Sequence, residues 1–226
     1  VEDTIQRICN AYGIRQSHIF SIASCIIVTL ETKERQWITQ TRRILSYGTD
    51  MWKLDRLNDL SRRICATQPS FEVIDREYEK ILKGPTYSPA VQCAVYAMTA
   101  GAFAVFFGGN LWDGFASLFV GALIRVTLYA FAAIHMKAIF SNILCSLISG
   151  IACILVCYIG LGRHVELIMI GNIMLLIPGV LMTNSFRDFI SGDMISGLLH
   201  FSEAMITAVC VAVGFIMSKM LLGGML

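Results

Sequence analysis

Charge is what this sequence has least of over most of its length. Residues 90–226 hold five Lys or Arg and five Asp or Glu, against 13 and 11 in residues 1–89. Over the 226 residues only 15% are charged and 56% are hydrophobic, and the mean hydropathy is +0.66. Soluble domains carry about 25% charged residues, so this balance argues against a soluble fold for the second part of the chain. Other signatures are missing too. There is no phosphate-binding loop, no metal-ligand cluster and no nucleophile elbow, which leaves the usual nucleotide, metal and hydrolase readings without support. The eight cysteines lack the paired spacing of a zinc site and read as free, small, buried hydrophobes. Cys153 and Cys157 are four apart on one helix, but no third or fourth ligand stands near them in sequence. No cofactor and no metal are expected. No signal peptide is visible; the chain opens on Val1 inside a helical pattern, so a segment before Val1 is a possibility that the sequence raises.

What is present is a polar head on an apolar body. Crossing about 30 Å of hydrocarbon at 1.5 Å per residue takes about 20 apolar residues. Five segments meet that demand, at about 90–107, 112–133, 138–160, 165–186 and 196–220. The stretch from Ala138 to Gly162 contains no charged residue and no His, and the fourth segment carries a Pro178-Gly179 break. The fold class expected is a mainly α membrane protein, five transmembrane helices preceded by a small α+β cytoplasmic domain over residues 1–89. Orientation follows from the basic residues nearest the first span, Arg76, Lys80 and Lys83, which favour a cytoplasmic head. The loops with Lys137 and Arg187 then lie inside, those with Asp113 and Arg163 outside, and the C-terminus is outside. The expected location is a bacterial inner membrane.

Within the head, Val1, Ile5, Ile8 and Tyr12 share a helical face that ends at Gly13. From His18 to Glu31 the residues Phe20, Ile22, Ile26, Val28 and Leu30 alternate as one strand, Thr32-Lys33-Glu34-Arg35 turns it, and Gln36 to Leu45 completes a β-hairpin. Two amphipathic helices follow, one with Trp52, Leu54, Leu57, Leu60 and Ile64, the other after Pro69 with Phe71, Ile74, Tyr78 and Ile81. His18, Ser21, Cys25 and Asp50 supply residue types found in catalytic sites, but in no known local signature. Arg42-Arg43 and Arg62-Arg63 are offset by acids, 13 basic against 11 acidic in the head, so nucleic acid is not an expected partner.

Polar residues deep in apolar segments are costly unless they line a cavity or find partners. Arg125, Asn172, Asn184, His200 and Glu203 belong to this class, with Asp113 a secondary candidate at the start of the second span. Pro178 removes a backbone donor and Gly179 permits close approach, a pattern of broken helices at transporter sites. The turn with Arg187, Asp188, Gly192 and Asp193 is expected to stand outside hydrocarbon, with Asp193 capping the fifth helix. Counted from the inner ends of their own spans, Arg125, Pro178 and Glu203 lie at a common depth of about 10–14 Å. An Arg125–Glu203 pair beside Pro178 is therefore the expected pocket, with His200 one turn away in a proton relay; a purely structural ion pair is the alternative. Gly101, Gly108, Gly121, Gly150 and Gly171 are expected to let helices or subunits approach closely.

The opening VEDTIQRICNAYG, the hairpin, the loop GGNLWDG and above all IPGVLMTNSFRDFISGDMISGL, followed by the helix of His200 and Glu203, together resemble the threonine/serine exporter family, in its N-terminal half. Pro178-Gly179, Asn184, Arg187-Asp188 and Gly192-Asp193 carry most of the likeness. The family pattern more often has Arg where this chain has His200, so a fixed charge is not carried over to that position. The resemblance implies proton-driven export of L-threonine and L-serine, or of succinate as in two-chain relatives, with a second, smaller membrane subunit supplying the other half. Lipid and a small-molecule substrate are the further partners implied, and a higher homo- or hetero-oligomer is compatible with the small residues. Two other classes stay open: a non-transporting regulatory or scaffold subunit, and a membrane-anchored enzyme with the head as active domain. The orientation is tested by replacing Lys53 with Cys. An impermeant thiol reagent is expected to label Lys53→Cys in lysed but not in intact cells, and equal labelling in both reverses the topology.

Overall fold

A computed structural model describes residues 1–32, 35–45, 48, 50–222 and 224. It comprises two compact units, Val1–Thr86 and Tyr87–Leu226.

The first unit runs α1 (Glu2–Ala11), β1 (Ser17–Ile22), β2 (Cys25–Glu31), β3 (Trp37–Arg43), α2 (Met51–Thr67) and α3 (Phe71–Leu82). Helix α1 ends where Gly13 takes φ 75°, with Ile14 N–H donating to Cys9 O and Gly13 N–H to Asn10 O. That paired closure needs a left-handed residue, which glycine adopts without a Cβ penalty. The single strand expected over His18–Glu31 is instead two strands. Ile22 pairs with Cys25, so Ala23 and Ser24 alone make the turn, and β3 adds a third antiparallel strand in the order β1-β2-β3. The reversal also swaps parity. Phe20 pairs with Ile27 and Ile22 with Cys25, so Phe20 and Ile22 lie on the opposite face from Ile26, Val28 and Leu30. Of the expected turn after β2, Lys33 and Glu34 lie outside the described residues, while Arg35 N–H donates to Thr32 O.

Two helices supply the core of this unit. Asp50 caps α2 by accepting from Lys53 N–H at 3.1 Å. Leu60, Ile64 and Ile81 are buried, with Ile8, Tyr12, Leu57 and Ile74 packed on them. The Tyr12 hydroxyl donates to Pro69 O at 2.6 Å, which ties α1 to the α2–α3 turn. Cys9 is buried on α1, and that burial pushes its thiol above the usual range, as suits a packing residue.

The second unit holds α4 (Pro89–Phe106), α5 (Leu111–Ala133), α6 (Ala138–Tyr158), α7 (Val165–Ile173), α8 (Gly179–Ile190) and α9 (Met194–Leu222). Among the described residues four helices, α4, α5, α6 and α9, are long and apolar enough to cross a membrane. The main core cluster of the unit is drawn from α5, α6, α7 and α9: Ala116, Val120, Cys153, Ile154, Ile168, Met169, Val211 and Phe215. The expected fourth span is not one helix. A continuous helix would drive the Pro178 ring into the carbonyl of Met174, and α7 stops at Ile173, one residue short of it; a turn over Met174–Ile177 then leads to α8. Helix α8 also runs further than expected, to Ile190, so Arg187 and Asp188 sit in its last turn rather than in a loop. Gly192, at φ 88°, makes the actual turn into α9.

Small residues set the helix spacing. A Cβ on Gly171 would lie 2.7 Å from Ala100 O and Ala104 N, so α7 rests on the backbone of α4. Gly101 and Gly121 do the same between α4 and α5, and Gly150 against Ser218 between α6 and α9. Gly108 differs from expectation: nothing lies within 4 Å of its would-be Cβ, and its φ of 102° marks a helix end. Gly171→Ala is therefore expected to cost about 1–3 kcal/mol and to lower the melting temperature in detergent, because backbone cannot yield as a side chain can. Gly179→Ala, with open space around it, is expected to melt as the parent does; equal melting of both variants would refute the contact.

Candidate functional site

One end of the second unit is organised by Asp113. Its side chain is fully buried and has four hydrogen-bond partners. Oδ1 accepts from Arg163 N–H at 2.7 Å and His164 N–H at 3.0 Å; Oδ2 accepts from Asn110 N–H at 3.0 Å and faces His164 Nδ1 at 2.8 Å. Asn110 returns the contact by accepting from Asp113 N–H, which makes a capping box on α5. The carboxylate thus ties the α4–α5 turn, the start of α5 and the entry to α7, where His164 is the N-cap residue. Lys219 near the end of α9 lies 3.6 Å from Glu166 at the same end. Sequence reasoning named Asp113 but missed His164, which sits 51 residues away.

Around the α7–α8 break the expected residues take distinct places. Asn172 is fully buried; its Nδ2 donates to Ile168 O at 2.9 Å, and its Oδ1 has no partner among the described residues. Pro178 is the N-cap residue of α8 and Gly179 its first residue. Asn184 is half-buried on α8 beside Ser185, whose hydroxyl donates to Gly197 O at 2.8 Å and joins α8 to α9. A second tie is Asp188, with Oδ2 2.9 Å from His200 Nδ1; Arg187, largely exposed, approaches the other oxygen at 3.6 Å. His200 therefore pairs with Asp188. Asp193 is exposed and its carbonyl accepts from Gly197 N–H, the first bond of α9.

Arg125 and Glu203 do not pair: no ion pair joins them among the described residues. Arg125 is held by Gln92, whose Oε1 accepts from Nε at 2.9 Å and from Nη2. Gln92 Nε2 donates to Tyr87 O at 2.8 Å, which orients the amide. The rings of Tyr96 and Tyr129 each lie 5.8 Å from the guanidinium carbon. The depth estimate failed because it measured each residue against the ends of its own helix. Helices α4 and α5 are antiparallel, with Gly121 against Tyr96 and Ala97, so Arg125 stands opposite Gln92, about 5 Å from the start of α4.

Glu203 is exposed on α9 in a groove of about 390 Å³ between α6 and α9. Asn142, Ser202 and Thr207 are its other polar lining residues, with Ala138, Ile139 and Cys210 among the apolar ones. Helices α6 and α9 run parallel, Gly214 packing at Ile143–Leu147 and Gly150 at Ser218. That register sets Ala138 opposite about residue 206, so Glu203 stands about 5 Å before the first turn of α6. Lys137, its N-cap residue, makes no side-chain cap bond to that turn, and its first N–H groups have no partner within the helix. The groove thus presents a carboxylate acceptor beside open backbone donors. Asn142 and Thr207 escaped sequence reasoning, although Thr207 is one turn after Glu203 and Asn142 is the lone amide of its span.

The profile of the threonine/serine exporter (ThrE) family matches residues 1–222. A threonine/serine exporter of Corynebacterium glutamicum is 24% identical over 210 residues, which cover 89% of this chain and 43% of that relative. The chain thus spans less than half the length of the curated relative. No solved structure matches it.

Asp113→Ala is expected to destabilise the second unit by about 3 kcal/mol or more, since three backbone donors lose a charged acceptor in a buried place. His164→Ala removes one partner of a half-exposed ring and is expected to cost less than half as much; melting curves that rank the two variants the other way would refute the role given to the carboxylate.

Proposed function

Because the chain belongs to the threonine/serine exporter family, we propose that it is the membrane part of a secondary exporter for small carboxylate-bearing metabolites, and that the α6–α9 groove is its substrate subsite. The observation that carries the reading is the pairing of Glu203 with the uncapped first turn of α6 in one groove. A zwitterionic amino acid offers the complement, an ammonium for the carboxylate and a carboxylate for the helix N-terminus. The Asn142 amide and Thr207 hydroxyl are placed to take a side-chain hydroxyl, as in threonine or serine. Succinate fits less well, because its second carboxylate would stand against Glu203 and no Lys, Arg or His is among the described lining residues.

The membrane path includes a fifth crossing made by α7 and α8 together, two short helices joined across the Pro178 turn. Backbone freed at such a break is tolerated where it is covered by protein or lines a wet cavity. Asn172 Oδ1, buried near the break with no partner among the described residues, supports this reading. The head lies in the cytoplasm of a bacterial cell, and the chain works with a second membrane subunit. Export is coupled to protons, with Glu203 and the Asp188–His200 pair as the groups that exchange them.

Counterflow in proteoliposomes tests the reading, with this chain alone and with its second subunit, using labelled threonine, serine and succinate. Threonine and serine are expected to move with both subunits present, and Glu203→Gln to slow them about tenfold or more without a change in melting temperature. Unchanged counterflow in Glu203→Gln, or preference for succinate, removes the proposed subsite.

A further inference from the structure

A second polar corner, where Arg125 of α5 meets the first turn of α4, has chemistry of its own and does not depend on the exporter reading. Arg125 lies in an apolar helix, and no Asp or Glu comes within 4.0 Å of it among the described residues. Its guanidinium carries five N–H donors in a fixed plane. Gln92 Oε1 takes the Nε–Nη2 edge, and Gln92 cannot turn away easily because Tyr87 O holds its Nε2. The aromatic rings of Tyr96 and Tyr129 attend the cation. What is left is the Nη1–Nη2 edge, two parallel donors of a cation whose charge a neutral amide cannot cancel.

We infer that this free edge of Arg125 is a binding point for a single oxyanion group, phosphate or carboxylate, offered by the head group of an anionic phospholipid. Two parallel N–H donors match two oxygens of either group. The level fits a head group better than an acyl chain: Gln92 stands three residues inside the start of α4, about 5 Å along the axis. Tyr87 is exposed beside that start, and Tyr129 is exposed on α5, as tyrosines are at the boundary between water and hydrocarbon. A soluble carboxylate or inorganic phosphate shares the chemistry and is separated from lipid by experiment.

The test uses the whole chain purified in a neutral detergent. Native mass spectrometry counts bound lipid after addition of phosphatidylglycerol or phosphatidylcholine with matched chains, and thermal melting is followed with inorganic phosphate or succinate. The parent is expected to hold phosphatidylglycerol about tenfold more tightly than phosphatidylcholine. Arg125→Gln is expected to abolish that preference. If it fails to fold, Gln92→Glu gives an independent reading: an internal carboxylate neutralises Arg125, so the variant is expected to melt no lower than the parent and yet lose the lipid preference. A stabilisation by phosphate or succinate that vanishes in both variants, without a lipid preference, keeps the oxyanion site and assigns it to a soluble ligand. The inference is overturned if the parent responds to none of these anions, or if Gln92→Glu retains the parent's response in full.

Discussion

The second unit depends on one buried carboxylate. Asp113 carries its charge in a place without solvent contact, and it is stable there because backbone N–H groups and an imidazole converge on it from two separate turns. That convergence fixes where α5 begins and where α7 begins relative to it. With α7 started at this point, Gly171 reaches the backbone of α4 two turns later, and the helix arrives at Pro178 with nowhere to continue. The position of the break is thus set by a capping interaction at the opposite end of α7 together with the proline. A charged residue placed near the end of an apolar helix can look like a transport residue, yet here its partners are those of a structural keystone.

How much of this could be read beforehand differs by kind of interaction. The four long helices were legible because length and charge-freedom act over about 20 residues and leave little room for other solutions. The Pro178 break was legible because proline's missing donor is a covalent fact. The sheet was legible in content but not in register: a two-residue turn at Ala23-Ser24 carries no Gly or Asn to announce it, and overlooking it reverses the face of every later residue. The partners of Arg125 and Glu203 were not legible, since they depend on the relative slide of neighbouring helices. Uncharged polar residues such as Gln92, Asn142 and Thr207 pass unnoticed for a related reason. Their role is decided by who stands opposite, and a single chain's periodicity does not record that.

The corrected register changes the electrostatic picture. A buried Arg–Glu pair would have locked two helices together and left little charge for a ligand, because breaking such a pair strands both groups. Separated, the two charges behave differently. Arg125 is softened by an amide and two aromatic faces without being neutralised, and Glu203 stands in an open groove with no basic residue among its described lining. Each keeps a capacity to meet an opposite charge from outside the unit.

That separation also bears on how the unit can move. Among the described residues, Ser185 to Gly197 and Asp188 to His200 tie α8 to α9 near the Gly192 turn, and Gly197 packs on the Phe189 ring. Beyond them α9 is held to α6 by close packing at Gly214 and Gly150, contacts that tolerate little sliding. Between those two sets of contacts, Ser202, Glu203, Ile206 and Thr207 of α9 border the groove. The segment that borders the groove thus lies between the α8 contact on one side and the close α6 packing on the other, so a change at the groove need not unpack the tightly packed half of α9.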